Sequence, residues 1–260
     1  MTRNLAELSG PAAASMLTPS SVVVVPTGAV EHHGPHLPLI TDYLLADAVG
    51  SSAVERAAAA GTDVWMLPTL AYTKSDEHAW APGTVWLSWD AMMKTVIDIG
   101  RSVASTPART LVFLNGHGGN VALLQVALRE IRRRFGLNTF LVGVHVSADG
   151  VEPPEEECGL GIHGGHGETS LIMHIRPDLV DMSLAERNVP SHIADAEYIG
   201  FHSKPVSFGW LSDDFGPSGV IGDPTRANTA DGAEIFEAAV SQATAALVEI
   251  SRFRPAREGL

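Results

Sequence analysis

The chain has 260 residues, of which 45% are hydrophobic and 18% charged, and its formal net charge is −13. That composition suits a compact globular protein that buries a substantial core, and it is too apolar for disorder. So acidic a surface repels phosphate backbones and anionic membranes, so no nucleic-acid and no membrane partner is expected. No stretch reaches the roughly 20 unbroken apolar residues of a membrane helix. The opening MTRNLAELSGPAAASML lacks the apolar core of a secretion signal. The single cysteine, Cys158, excludes an internal disulfide and fits a reducing cytoplasm, which is the expected location.

In chain order, "SVVVVPTG" predicts a buried strand at 21–26. Asp42 then opens an alanine-rich helix to about Ala60, stopped by Gly61. "DVWMLP", 63–68, is a second strand. Trp89, Met92, Met93, Val96, Gly100 and Val103 recur at helical spacing and predict a helix over 88–105, ended by Pro107. "TLVFLN", 110–115, is a third strand. Asn120 is the expected cap of a helix through Phe135, with Gly136 as its terminator and Arg132, Arg133 and Arg134 suiting its negative end. "TFLVGVHV", 139–146, is a fourth strand. An acidic loop follows at 147–161, then a helix starting near Glu168, an irregular stretch over 186–225 with hairpin potential near Pro205 to Leu211, and a last amphipathic helix over 230–253. Strands alternating with helices predict an α/β fold. The expectation is a single domain, 1–260, with a central, mostly parallel sheet flanked by helices and the first ~20 residues peripheral.

In such a sheet, ligands bind beyond the carboxyl ends of the strands. Seven of the 11 histidines fall there: His32, His33 and His36 after the first strand, His78 after the second, His117 after the third, and His163 and His166 after the fourth. Glu31 and His33 are two apart and project from one face of extended backbone. Asp42, at a helix start, has two oxygens that can bridge two cations and four exposed N–H groups to stabilise its charge. His117 lies between glycines, which allow close backbone approach. Glu168 adds a carboxylate. Imidazole and carboxylate together suit zinc, manganese or iron and lack the thiolates of a structural zinc site. Two divalent ions with a bridging hydroxide are hydrolysis machinery. His163 is the candidate proton donor to the leaving group. Ser75, His78, Trp80 and Gly118 are candidates to line the substrate pocket, with Trp86, Trp210 and Phe215 as further apolar walls. Taken singly, each has an ordinary explanation: Asp42 as a helix cap, Glu168 as a first-turn acid, His117 as a strand-end histidine. Four clusters at matching sheet positions favour one metal site. His32, His145, His174, His192 and His202 are read as structural or surface residues. "NGHGGN" lacks the spacing of a nucleotide-binding loop.

The motifs "PTGAVEHHGPHLPLITD", "SDEHAWAPGT", "FLNGHGGN", "HGGHGETSLIMHIRPDLV" and "GVIGDPTRANTADG" occur in an order that resembles the creatininase family of metal-dependent amidohydrolases. The resemblance implies an α/β fold with a parallel sheet, a two-metal centre and frequently hexameric assembly, so a homo-oligomer is expected. It assigns Glu31, Asp42 and His117 to one metal, and His33, Asp42 and a further carboxylate to the other. In creatininase that carboxylate follows the "NGH" motif by two residues, where this chain has Gly119; the resemblance to family members that have "NGHGGN" and use the glutamate of "ETS" implies that Glu168 inherits the role. His163 matches the histidine linked to proton transfer. Creatininase also carries a tyrosine where this chain has Gly118 and a Trp-Asp pair where it has Leu160 and Gly161, so creatinine loses its stacking partners. The expected activity is hydrolysis of a C–N bond in a small amide, cyclic or open. A peptidase of the mycofactocin-maturation type, which His166 resembles, is the first alternative. A non-catalytic metal-binding protein is a remote one.

Overall fold

The computed structural model describes residues 2–148, 150, 151, 155–157, 159–201 and 204–254; Cys158 and His202 lie outside them. Its elements run α1 (Gly10–Met16), β1 (Val22–Thr27), α2 (Thr41–Ala59), β2 (Val64–Met66), α3 (Trp89–Ala104), β3 (Thr110–Asn115), α4 (Val121–Phe135), β4 (Asn138–Gly143), α5 (His166–Ile175), α6 (Ser191–Ala194) and α7 (Thr229–Arg252).

The valine run of β1 is apolar throughout because both of its faces are covered. Val22 and Val24 pack against α2, α5 and α7 through Leu45, Val49, Ile172 and Leu247. Val23 and Val25 point the other way and meet Met92 and Val96 of α3 and Leu124 and Ile131 of α4. The four strands are all parallel, in the order β2-β1-β3-β4. The result is a single α/β domain with helices on both faces of the sheet. The N-terminal segment lies along the free edge of β2, where Met66 N–H donates to the Arg3 carbonyl at 2.8 Å. Among the described residues, no helix is long and apolar enough to cross a membrane.

Local chemistry accounts for most boundaries. Ser88 caps α3 by accepting from Ala91 N–H, and Asn228 caps α7 by accepting from Asp231 N–H. Gly61 and Gly136 end their helices at φ +88° and +69°, a region where a Cβ is penalised. Arg133 and Arg134, in the last turn of α4, pair with Glu130.

Three expectations need correction. Asn120 makes no side-chain cap bond on α4. Its amide instead donates to the Gly28 carbonyl at 3.2 Å and to Asn115 Oδ1 at 3.2 Å, while its oxygen accepts from Lys74 N–H at 3.3 Å. Asn120 thereby ties the loops after three strands together. The fourth strand stops at Gly143, which frees His145 and Val146 from the ladder. No hairpin forms near Pro205 among the described residues. That segment makes one isolated parallel bridge, Ile199 to Val206, and gathers Phe201, Phe208, Trp210 and Phe215 into a cluster of stacked, edge and tilted ring contacts. Burying aromatic area there outweighs ladder pairing.

One close approach sets the whole sheet end. A Cβ on Gly28, just past β1, would sit 2.5 Å from the Tyr43 backbone in the first turn of α2. Backbone cannot give way as a side chain would. Gly28→Ala is therefore expected to lower stability by about 1–3 kcal/mol, measured by urea denaturation.

Candidate metal centre

β2 and β3 flank β1, so the chain leaves β1 in one direction for β2 and later returns on the other side for β3. That reversal is the topological switch point, where the loops diverge and leave a crevice. The loop after β1 carries Glu31 and His33 and closes on itself through Glu31 N–H to the Leu39 carbonyl at 2.9 Å. Closure brings Asp42, in the first turn of α2, alongside. The turn after β3 delivers His117. Gly116 makes this possible, since a Cβ there would lie 2.8 Å from the Asp42 carbonyl. Glu168 comes from the first turn of α5, where it accepts from Gly164 N–H at 2.6 Å. Asn115 holds the His117 carbonyl at 2.6 Å.

The five side chains meet. Glu31, Asp42 and His117 offer one donor atom each within 4.8 Å of one another, and so do His33, Asp42 and Glu168. Asp42 belongs to both groups. A third grouping joins Glu31, His33 and His163. All but Glu168 are buried.

Hydrogen bonding selects which ring nitrogens face inward, with tautomers assigned from the partners. His117 Nε2 lies 2.7 Å from the Lys74 carbonyl, to which it donates. Its Nδ1 then faces Asp42 Oδ2 at 2.9 Å, yet Asp42 Oδ2 has no hydrogen-bond partner. His33 repeats the pattern: Nδ1 donates to the Glu31 carbonyl at 3.2 Å, and Nε2 faces Asp42 Oδ1 at 3.0 Å. Two neutral rings so anchored turn lone pairs onto the lone pairs of one carboxylate. Only a cation or a proton between them relieves that repulsion. Anchoring a ligand imidazole through its outer N–H is how metal sites set ring orientation. The donor set therefore fits divalent cations.

Without cations, protons take their place. Burial would lower His33, but Asp42 raises it to about 10. His117 is likewise pulled down by burial and raised well above the usual histidine range by Glu31, Asp42 and Glu77. Burial, partly countered by His117, lifts Glu31 to about 8. Burial also works to raise Asp42, but His33 and His117 hold it well below the usual carboxylate range. His163 goes the other way. Burial first, then His33 and His78, press it well below an ordinary histidine. Its Nε2 donates to the His32 carbonyl at 2.7 Å, and its Nδ1 lies 3.7 Å from Glu31 Oε1. These influences favour the neutral ring, with Nδ1 left on the Glu31 side.

A cavity of about 640 Å³ opens from this cluster, reaching Phe201, Trp210, Ile235 and the backbone of Gly118, Gly143, Gly159 and Gly167.

Residues 6–247 match the family described as Creatininase: Creatinine amidohydrolase. The chain belongs to the creatininase family. It is 35% identical over 240 residues to the mycofactocin precursor peptide peptidase of Mycolicibacterium smegmatis, covering 92% of this chain and 88% of that protein. It is 36% identical to the creatinine amidohydrolase of Pseudomonas putida, but over 188 residues, 65% of this chain and 70% of that one. Among solved structures, one named "Creatininase Mn" aligns with a TM-score of 0.73 and 28% identity, over 98% of this chain and 100% of that one. The chain is thus a creatininase-family hydrolase of C–N bonds and is not creatininase itself.

Within this creatininase-family frame, the sequence-based pocket residues divide. His78 and Gly118 line the cavity, and His78 stacks on His163 with ring centroids 4.1 Å apart. Ser75 and Trp80 do not line it. The Ser75 hydroxyl is committed to Glu31 Oε2, and the Trp80 indole donates to Ser212 Oγ at 2.7 Å. The sequence places Glu77 beside Ser75 and His78 past the second strand without giving it a role; its Oε1 sits 3.4 Å from His117 Nε2 and its Oε2 takes Lys74 Nζ at 2.9 Å. The available signal was Gly119: a Cβ there would run into Glu77 Oε1, so the bare glycine makes room for that carboxylate. His145, read as structural, lines the cavity as well.

The protonation pattern sets a sign. With Glu31 near 8 and His33 near 10, both hold protons at pH 7 in the metal-free protein. Cations take the deprotonated forms. Zinc or manganese uptake at pH 7 should therefore release protons, and affinity should rise as pH increases through these two values. Calorimetry in two buffers of different ionisation enthalpy measures the release; an equal heat in both would refute it.

Proposed function

We propose that the chain is a metal-dependent peptidase acting on a short peptide, with Glu31, Asp42 and His117 holding one divalent cation and His33, Asp42 and Glu168 the other. Zinc and manganese suit these donors, with iron a third option. Such cations supply Lewis acidity toward a carbonyl oxygen and lower the pKa of water. The remaining work belongs to the protein. Asp42 fixes the spacing of the two halves, and Ser75 orients Glu31. Amide hydrolysis adds hydroxyl to the carbonyl carbon and a proton to the leaving nitrogen. His163, neutral and turned toward Glu31, takes up that proton at Nδ1 and returns it to the nitrogen.

The observation that carries the peptide reading is the cavity. Gly118, Gly143, Gly159 and Gly167 all line it, and at each of them a Cβ would meet nothing within 4 Å. Such walls leave a channel wider than a single small ring needs and offer room for an extended main chain. The relative named a mycofactocin precursor peptide peptidase, which matches nearly the whole chain, supports the same choice. The second reading, a small cyclic amide, has the match to a creatinine amidohydrolase in its favour. Exposed Tyr72, Trp86 and Trp89, the last 69% accessible, support a homo-oligomer.

Chelation should abolish tetrapeptide cleavage, and zinc or manganese should restore it. Full turnover without metal would end this reading. His163→Asn should lower kcat by roughly 10²–10⁴-fold with metal content unchanged. Gly118→Tyr should lower kcat/KM for peptides by about tenfold, because it fills the channel; faster turnover of creatinine than of any tetrapeptide by the unmodified enzyme would favour the second reading.

A further inference from the structure

Glu77 belongs to none of the three donor groups, yet it sits beside a member of one of them. Its Oε1 lies 3.4 Å from His117 Nε2, the ring nitrogen turned away from Asp42. The N–H there is already donated to the Lys74 carbonyl at 2.7 Å, so the carboxylate acts on it as a second negative group. Glu31 Oε2 is as near, at 3.3 Å, but Glu31 is itself a donor to the cation and is held by Ser75.

Contacts from separate segments hold Glu77 in that place. Lys74 Nζ takes the other oxygen, Oε2, at 2.9 Å. The Glu77 carbonyl accepts from the buried Ser212 hydroxyl at 3.2 Å. Gly119 leaves the space: a Cβ would run into Oε1, and the residue lies outside the left-handed region, so crowding and not backbone conformation calls for glycine. Lys74 has no need of Glu77 as a partner, since Asp76 Oδ1 pairs with the same ammonium at 2.8 Å. The Glu77 side chain is 11% exposed and that of Asp76 48%. A carboxylate buried to that degree is costly unless a positive group faces its remaining oxygen. His117 is the group that does.

A cation on His117 Nδ1 draws electron density from the ring and strengthens Nε2–H as a donor. A negative group beside that N–H, shielded from water, makes the ring a better ligand and fixes its orientation.

We infer that Glu77 is a positioning residue for His117: its carboxylate, seated in the space left by Gly119 and anchored by Lys74, strengthens the hold of His117 on its cation. This rests on the assignment of a cation to Glu31, Asp42 and His117 above.

The test titrates zinc into the metal-free protein against a chromophoric chelator, which resolves the two binding steps. Glu77→Gln keeps the shape and removes the charge; it should weaken one step about tenfold and leave the other within about twofold. Asp76→Asn takes a charge from the same lysine at a place away from His117, and should leave both steps within about twofold. In proton NMR of the zinc-loaded protein, the His117 Nε2–H signal should move upfield in Glu77→Gln and stay in place in Asp76→Asn. Should Glu77→Gln fail to fold, Glu77→Ala decides, with the same loss expected at the same step. Unchanged affinity in the Glu77 variant, an equal loss at both steps, an equal loss in Asp76→Asn, or an unmoved His117 signal each overturn the inference and leave the cation reading standing. Binding of fewer than two zinc ions by the unmodified chain overturns the cation reading, and the inference falls with it.

Discussion

Asp42 presents two oxygens to two imidazoles that have already given their outer N–H groups to backbone carbonyls. The contact is repulsive unless something positive lies between, and burial removes the water that would screen it. Every other feature of the site follows from sustaining this arrangement. The loops after β1 and β3 must converge on the first turn of α2, and the glycines must let them. Glu31, from one loop, and Glu168, from another helix, then add a carboxylate to each side.

The sheet order is the architectural counterpart. Because β1 lies between β2 and β3, the segments leaving β1 and β3 part company at their carboxyl ends, and the crevice between them receives Asp42. Gly28 and Gly116 bring strand ends within backbone contact of α2. Asn115 and Asn120 then lock the convergence with buried hydrogen bonds to Gly28, Lys74 and His117. A rigid floor of two-sided parallel strands holds polar groups in positions they would not choose alone.

Family membership and substrate are decided by different parts of the molecule. The acid-imidazole cluster lies within the stretch that matches the creatininase family. By the family resemblance, Gly118 stands in place of a tyrosine and Leu160 and Gly161 in place of a Trp-Asp pair, and Gly119 yields its space to Glu77. Phe201 and Trp210, in ring contact with each other, line the cavity as well. Such changes alter what fits the site and leave the hydrolytic apparatus in place.

The strands, the major helices and the convergence of Glu31, His33, Asp42, His117 and Glu168 were legible in the sequence, because apolar periodicity reports burial and because ligand-type residues clustered at equivalent strand ends. Asn120 was misread as a cap, since a short polar side chain before a helix has the same local signature whether it binds its own helix or a distant loop. The hairpin expected near Pro205 gave way to aromatic packing, which depends on rings brought in from residues 201 and 215. Ser75, Glu77, Trp80 and His145 could not be sorted into cavity wall and scaffold, because that depends on which way a side chain leaves its loop. The sequence by itself determined the sheet, its flanking helices and the chemistry of the donors. The tertiary structure alone decided ring orientation, the shape of the cavity and the approach of Glu77 to His117, because these are set by contacts between segments far apart in the chain.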